Sequence, residues 1–249
     1  MRKTSISRSG RPLELRRRLP RTNLVLWPVV GLSMLVFGGL VAASAQTTTG
    51  DVQTASAGGL ISARYQHSAT PLKTGRVLVA GGVGSSGLRL ASTELYSPSV
   101  GSWSVSGPMH EARSGHTATL LLDGRVLITG GFGTDTSSGP TELRSAEIYD
   151  PGSGLWTITQ SMTTARAVHT ATRLIDGRVL VVGISLTTPW STAAELFDPI
   201  AGHWVSVAPP SVPRLGHTAT LLPGGRVPVA GGTGGAPTGQ PTAVGVLVP

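Results

Sequence analysis

Four histidines recur at nearly regular intervals and are the residues best suited to metal chemistry. They are His67, His116, His169 and His217, separated by 49, 53 and 48 positions. Imidazole is a common metal ligand, so four such side chains converging on one axis could form a metal site. A residue needed once for a metal would not be needed in every unit, however. We favour a structural role, in which each histidine bonds within its own unit to backbone of a neighbouring turn, and we predict no metal and no cofactor.

Charged and aromatic residues recur in the same register as the histidines. The glutamates are Glu94, Glu147 and Glu195; the arginines are Arg76, Arg125, Arg178 and Arg226; the tryptophans are Trp103, Trp156 and Trp204. Glutamates and arginines on adjacent strands predict cross-strand charge pairs rather than acid–base catalysts. The tryptophans predict packing between units rather than a platform for sugars.

A repeated sequence of about 50 residues accounts for this spacing. Its first half reads "ARYQHSATPLKTGRVLVAGG" from 63, "ARSGHTATLLLDGRVLITGG" from 112, "ARAVHTATRLIDGRVLVVGI" from 165 and "PRLGHTATLLPGGRVPVAGG" from 213. Its second half, such as "SAEIYDPGSGLWTITQSM" from 145, carries the tryptophan. The pattern predicts four short strands per unit. The first, "HTATLL", and the second, "RVLVAGG", are joined by a two-residue Asp-Gly or Gly-Gly hairpin turn. The third, "AELYDP", and the fourth, which carries the tryptophan, are joined by a "DPxxG" turn. Repeated four-stranded antiparallel units are typical of β-propeller blades.

The glycine pair, the aromatic residue and the spaced tryptophan resemble the kelch repeat. This resemblance covers residues 64 to about 235 and implies an all-β, kelch-type β-propeller of four repeats, like bacterial extracellular kelch-like proteins. The family's fold is shared with the catalytic domain of galactose oxidase, whose copper site uses a tyrosine cross-linked to a cysteine. This chain has no cysteine, so we predict no catalytic residues of that kind.

The two ends of the repeat region suggest how a ring of units could close. Residues 51–64 align with 100–113, with Thr54 at the tryptophan position and Leu60 at the Met109 position, so this segment could supply the outer strand of the last blade. The last unit is atypical, because Pro228 replaces a strand leucine and Gly245 replaces the glutamate. A closed four-bladed ring, a fragment of a larger propeller and a ring completed by several chains all remain open.

The N-terminal region predicts export. Eight Lys and Arg residues precede position 22 and are opposed by Glu14 alone, and an uncharged apolar run spans 24–43. We interpret 1–45 as a signal peptide cleaved after Ala45 or as an uncleaved transmembrane helix, with the rest outside the cytoplasm. We assign 46–63 to a linker and possible closing strand, and 64–249 to the propeller, with repeats at about 64–112, 113–165, 166–213 and 214–249. From Gln46 onward, twelve basic and eleven acidic residues balance, which argues against a nucleic-acid partner.

Function in such a scaffold is expected where the repeats differ. The loops after the second and fourth strands share one face and contribute Arg89, Asp135, Arg144 and Trp190 as candidate ligand-binding residues. We predict a non-catalytic binding or scaffolding module for a protein or polysaccharide. The alternatives are a carbohydrate-active enzyme related to galactose oxidase, or a truncated copy without function.

Overall fold

A computed structural model describes residues 58–136, 139–185, 192–211, 213–234 and 245–247. The predicted leader, Ala45 and Thr54 lie outside these residues. Every described element is a strand, which confirms the all-β prediction. No helix within the described ranges has the length and apolar character to cross a membrane.

The strands follow the four repeats. Repeat 1 contains β1 (Arg64–Tyr65), β2 (Ser68–Pro71), β3 (Val77–Ala80), β4 (Val83–Gly84), β5 (Thr93–Ser97) and β6 (Ser102–Ser106). Repeat 2 contains β7 (Thr117–Leu120), β8 (Val126–Thr129), β9 (Phe132–Thr136), β10 (Gly139–Glu142), β11 (Ala146–Asp150) and β12 (Leu155–Ile158). Repeat 3 contains β13 (Thr170–Arg173), β14 (Val179–Ile184), β15 (Thr192–Asp198) and β16 (His203–Val207). Repeat 4 contains β17 (Arg214–Leu215), β18 (Thr218–Ala219), β19 (Val227–Ala230), β20 (Thr233–Gly234) and β21 (Gly245–Leu247).

Each repeat contains one main antiparallel sheet, which takes the number of its repeat, and repeats 1, 2 and 4 also contain a two-stranded ladder (β1–β4, β9–β10 and β17–β20). Sheet 1 has the order β2-β3-β5-β6, sheet 2 β7-β8-β11-β12, sheet 3 β13-β14-β15-β16 and sheet 4 β18-β19-β21. The orders of sheets 1 to 3 match the predicted succession of four hairpin-connected strands, and the described residues of sheet 4 contain three. The inner strands β2, β7, β13 and β18 contact one another in sequence. The short ladders β1–β4 and β17–β20 join the two sets of connecting loops at one end of the sheets, as the sequence predicted.

The first hairpin turn differs from the two-residue prediction. In repeat 2 the Leu121 N–H donates to the Arg125 carbonyl at 2.8 Å, and the Gly124 N–H donates to the Leu121 carbonyl at 3.1 Å. Three residues therefore separate the paired ends, and only Gly124 has a positive φ, of 94°. This is a three-residue loop with a glycine bulge. Within this loop the Asp123 carboxylate accepts the Arg125 N–H, and Gly124 is the residue that takes the left-handed conformation.

The apolar core lies between successive sheets. One cluster joins Leu78 and Leu95 of sheet 1 to Ile128, Tyr149 and Trp156 of sheet 2. Equivalent clusters join sheet 2 to sheet 3 and sheet 3 to sheet 4. Strand alternation produces this arrangement, since neighbouring residues of one strand face the preceding and the following sheet.

Sheet 4 shows both departures that the sequence identified. Pro228 lies within β19, where it faces Thr220, whose N–H donates to the Pro228 carbonyl at 3.3 Å. Proline has no N–H to return this bond, and β18 ends at Ala219 after two residues, whereas β2, β7 and β13 have four. Gly245 pairs with Val229, the register position that Glu94, Glu147 and Glu195 occupy in sheets 1 to 3.

Candidate functional site

A shallow depression of about 400 Å³ lies between the inner strands, at the end bearing the connecting loops. Its lining contains all four repeated histidines and the residue before each of them, together with Phe132; the lining residues are Gln66, His67, Gly115, His116, Phe132, Val168, His169, Gly216 and His217. The depression exists because each repeat brings its histidine to the start of an inner strand.

Three of the histidines bond to the preceding sheet. Nε2 of His116, His169 and His217 lies 2.9 Å from the hydroxyl oxygens of Ser68, Thr117 and Thr170, respectively. The predicted bond to backbone within the same repeat is found at His217, whose Nδ1 lies 3.2 Å from the Arg214 carbonyl, while the main contact crosses to the neighbouring sheet. In the part of the chain that the structure describes, no three or more His, Asp or Glu side chains are arranged so that they could hold one metal ion.

Burial keeps these imidazoles neutral. Desolvation, followed by the charges of Arg113 and Arg166, lowers the pKa of His116 and of His169 to about 3. Burial likewise lowers the pKa of His67 and His217. With a proton on Nδ1, as at His217, a neutral ring accepts the hydroxyl hydrogen at Nε2. The depression therefore presents an uncharged histidine lining at neutral pH.

The residue before each histidine has a left-handed backbone. Its φ is 54° at Gln66, 60° at Gly115, 52° at Val168 and 68° at Gly216. This conformation is costly for a β-branched side chain such as that of Val168. The Val168 N–H donates to the Gly115 carbonyl, and the Gly115 N–H donates to the Gln66 carbonyl, so hydrogen bonds between repeats hold the conformation. The Gln66 and Val168 side chains are exposed at the depression.

Buried ion pairs position the chain that leads into each histidine. In repeat 2, Glu147 accepts the backbone N–H groups of His110 and Glu111 at 2.8 and 3.1 Å and the Arg113 guanidinium at 2.9 Å. Glu94 with Arg64, and Glu195 with Arg166, repeat the arrangement. Burial lowers the pKa of Arg113 and Arg166, and the paired carboxylates oppose that effect.

The predicted partners of these glutamates were wrong. Arg125 and Arg178 instead pair with the aspartates of their own hairpin turns, Asp123 and Asp176, at 2.7 Å. These pairs are exposed, whereas the glutamates face the opposite end of the sheet. The arginine three residues before each histidine takes the buried position instead; it recurs in all four repeats, as the predicted arginine does.

The predicted packing of the tryptophans between repeats is found for Trp156 and Trp204, whose Nε1–H groups donate to the Gly107 and Gln160 carbonyls of the preceding repeat at 2.8 Å. Within their own sheets, the three tryptophans also contact an aromatic ring on the neighbouring strand, with ring centroids 4.9 to 5.0 Å apart; the pairs are Tyr96–Trp103, Tyr149–Trp156 and Phe197–Trp204.

Of the four predicted loop residues, Arg89 is the one that the structure connects to the depression. Its guanidinium carbon lies 5.9 Å from the centre of the Phe132 ring, and its Nε donates to the Ser114 hydroxyl at 3.2 Å. Asp135 lies on β9, paired with Pro140. Arg144 is exposed, and its carbonyl accepts the Met162 N–H. Trp190 lies outside the described residues.

Sequence reasoning missed Gln66, Phe132 and Val168. Glycine at two of the four equivalent positions, Gly115 and Gly216, was the available sign of a positive φ there. Phe132 carried no such sign, because it reaches the depression only through its pairing with Ser114.

Comparison with known families identifies one repeat directly. Residues 112–163 match the family model of the kelch motif. This range contains the Glu147–Arg113 pair and the Trp156 strand. No curated protein matches the sequence.

Comparison with solved structures supports the fold. A structure titled "Structure of YjhT" aligns with a TM-score of 0.57 at 19% identity. The alignment covers 69% of this chain and 59% of that one, so this chain spans less than two thirds of YjhT. At this identity the likeness concerns the fold alone.

Proposed function

We propose that this chain is a kelch-repeat propeller that acts as an exported, non-catalytic binding or scaffolding module; the kelch motif at residues 112–163 and the similarity in fold to YjhT support the propeller. Its four repeats form the blades of a propeller, and its ligand is a polysaccharide or a loop of another protein. The fold supports a rigid scaffold, and the sequence of residues 1–45 supports export.

The observation that carries this proposal is the backbone strain at Val168. Glycine would relieve that strain and stands at two equivalent positions, yet here an exposed valine projects at the depression. Strained residues in ligand sites persist when neighbouring contacts hold them in place. The bonds that link Gln66, Gly115 and Val168 are such contacts.

The chemistry of the depression favours an uncharged group of the ligand. Its lining residues are neutral histidines, an amide, glycines, an aromatic ring and an aliphatic side chain. Phe132 offers an apolar face for a sugar ring or an aliphatic side chain. Arg89 beside Phe132 adds a cation at the rim that can donate hydrogen bonds to a hydroxyl or a carbonyl oxygen.

The test is binding of the purified chain to an array of neutral and acidic cell-wall polysaccharides, with isothermal titration on any positive. The variants are Phe132→Ala with Arg89→Ala, and Val168→Gly alone. Ile200→Ala is the matched control, because Ile200 is 96% exposed on a turn at the opposite end of the sheets. We expect the depression variants to weaken binding about tenfold or more, as loss of one good contact does. Equal affinity of all variants would remove the depression from the function.

The predicted loop residues receive a separate test. Trp190→Ala with Arg144→Ala measures whether the variable loops contribute beyond the depression. Affinity unchanged by this pair, together with loss in the depression variants, would confine the site to the depression.

A further inference from the structure

The histidine–hydroxyl bonds between sheets all run in one direction. The histidine of sheet 2 bonds to the first inner-strand hydroxyl of sheet 1, that of sheet 3 to sheet 2, and that of sheet 4 to sheet 3. A series of this kind leaves one histidine at its beginning and one hydroxyl at its end. Here they are His67 of sheet 1 and Thr218 of sheet 4.

These two groups do not meet each other. Within the described ranges no hydroxyl bonds to the His67 ring as those of Ser68, Thr117 and Thr170 bond to the later histidines. His67 is half-buried, whereas His169 and His217 are 6% exposed. The Thr218 hydroxyl is exposed and donates to the Ala230 carbonyl of its own sheet at 3.4 Å. The contact that joins successive sheets three times is absent between these two residues.

The apolar faces of the same two sheets show a matching difference. Val126, Val179 and Val227 are fully buried, since each packs in a cluster with the preceding sheet. Val77, at the equivalent position of sheet 1, is half-buried and belongs to none of these clusters. On sheet 4, Pro228 and Ala230 are half-buried, although the equivalent Leu78 and Ala80 are 1% and 0% exposed.

We propose that a second copy of this chain binds here, packing the Val77 face of its sheet 1 against the Pro228 face of sheet 4. In this contact the Thr218 hydroxyl donates to Nε2 of His67 of the other copy. The occupant is a second copy because each copy carries both halves of a contact already made three times between its own sheets. The four described sheets of each of two copies give eight, within the usual four to eight blades of propellers.

Such a contact is head-to-tail, because different surfaces of the two copies meet. It continues the wall of the depression with residues of both copies. It is independent of the ligand proposed above, since it concerns faces between sheets rather than the lining of the depression.

The absence of cysteine allows a direct test by disulfide cross-linking of the full-length chain. His67→Cys and Thr218→Cys are made as two separate proteins, mixed and oxidised, and analysed by non-reducing electrophoresis. We expect a covalent dimer in the mixture and much less in either protein alone, because only the mixture places the two thiols opposite each other. Cross-links formed equally by each protein alone would contradict the head-to-tail contact.

The double variant in one chain distinguishes closure within a copy from closure between copies. If the chain that carries both His67→Cys and Thr218→Cys forms disulfides to other chains, the proposal is supported. A cross-linked monomer overturns it, since the two ends then meet in one copy. Ser68→Cys with His116→Cys is the positive control, because these positions are joined within one chain. The proposal is also overturned if positions 67 and 218 form no cross-link while the positive control does.

A second measurement avoids any change at the histidine. Val77→Glu places a charge in the proposed contact, and Val105→Glu places one on an outer strand where Val105 is already 69% exposed. We expect sedimentation of the full-length chain in detergent to show halved mass for Val77→Glu and unchanged mass for Val105→Glu. A monomeric wild-type chain would overturn the proposal.

Discussion

Glu147 is the residue whose loss has the clearest expected cost. Its carboxylate is 1% exposed and accepts the Arg113 guanidinium and two backbone N–H groups. Glu147→Ala leaves the buried Arg113 charge without its main partner, so we expect a loss of about 3 to 5 kcal/mol in the free energy of unfolding. Urea denaturation measures it.

Asp123→Asn is the matched control for the glutamate. It removes the charge from a pair with Arg125 whose side chains are 39% and 47% exposed. Solvent screens such a pair, and we expect a loss below about 1 kcal/mol. Equal losses for Glu147→Ala and Asp123→Asn would show that burial of the pair has little energetic consequence.

Two glycines with almost the same φ separate backbone strain from steric overlap. Gly81 has φ 64° and Gly101 has φ 63°. A Cβ at Gly81 would lie 2.5 Å from the Arg113 carbonyl oxygen, whereas a Cβ at Gly101 would meet nothing within 4 Å. We expect Gly101→Ala to cost about 1 to 2 kcal/mol from the left-handed conformation, and Gly81→Ala to cost about 1 to 3 kcal/mol more from overlap.

Thermal melting of Gly81→Ala and Gly101→Ala in parallel tests this expectation. Similar melting temperatures would mean that the loop carrying Arg113 moves away without cost. That result would contradict the close approach between repeats described here.

At the scale of elements, sequence periodicity was enough to define the strands of each sheet. Alternating apolar residues and the "DPxxG" turns predicted the two strands that carry Tyr149 and Trp156, and these residues pair directly in the sheet. The partner of Glu147 was not predictable in this way, because Arg113 and Arg125 recur equally well. Only the path of the loop between sheets, which depends on tertiary packing, places Arg113 beside the carboxylate and Arg125 beside the turn.

The residue before each repeated histidine gives a prediction about backbone strain. Val168 has φ 52° and its side chain is 46% exposed, so its burial contributes little to offset the strained backbone. We expect Val168→Gly to leave the melting temperature unchanged or raise it, because relief of strain of about 1 to 2 kcal/mol opposes the entropic cost of glycine of about 0.5 to 1 kcal/mol. Differential scanning calorimetry measures the change.

Val181→Gly serves as the comparison for Val168→Gly. Val181 is fully buried in the cluster between sheets 2 and 3, so its loss should lower the melting temperature clearly. A large destabilisation by Val168→Gly as well would show that the Val168 side chain stabilises the fold rather than serving a ligand.

At the scale of the whole molecule, the buried histidines connect stability to pH. In the unfolded chain an ordinary histidine takes up a proton near pH 6.5, but His116 and His169 in the folded chain do so only near pH 3. Between these values the unfolded state binds more protons, so stability falls as the pH decreases. Each of the two histidines contributes a slope of about 1.4 kcal/mol per pH unit.

The measurement is the free energy of unfolding from pH 7 to pH 4, for the wild type and for His169→Asn. Because asparagine does not titrate, we expect the slope between pH 6 and pH 4 to decrease by about 1.4 kcal/mol per unit, which corresponds to one proton. Carboxylates titrate in both proteins and cancel in the comparison. An unchanged slope would mean that His169 is protonated in the folded chain, and that the hydroxyl of Thr117 does not donate to a neutral ring. The contact between successive sheets would then rest on the apolar clusters. The His67–Thr218 contact proposed between copies would lose the chemistry on which it depends.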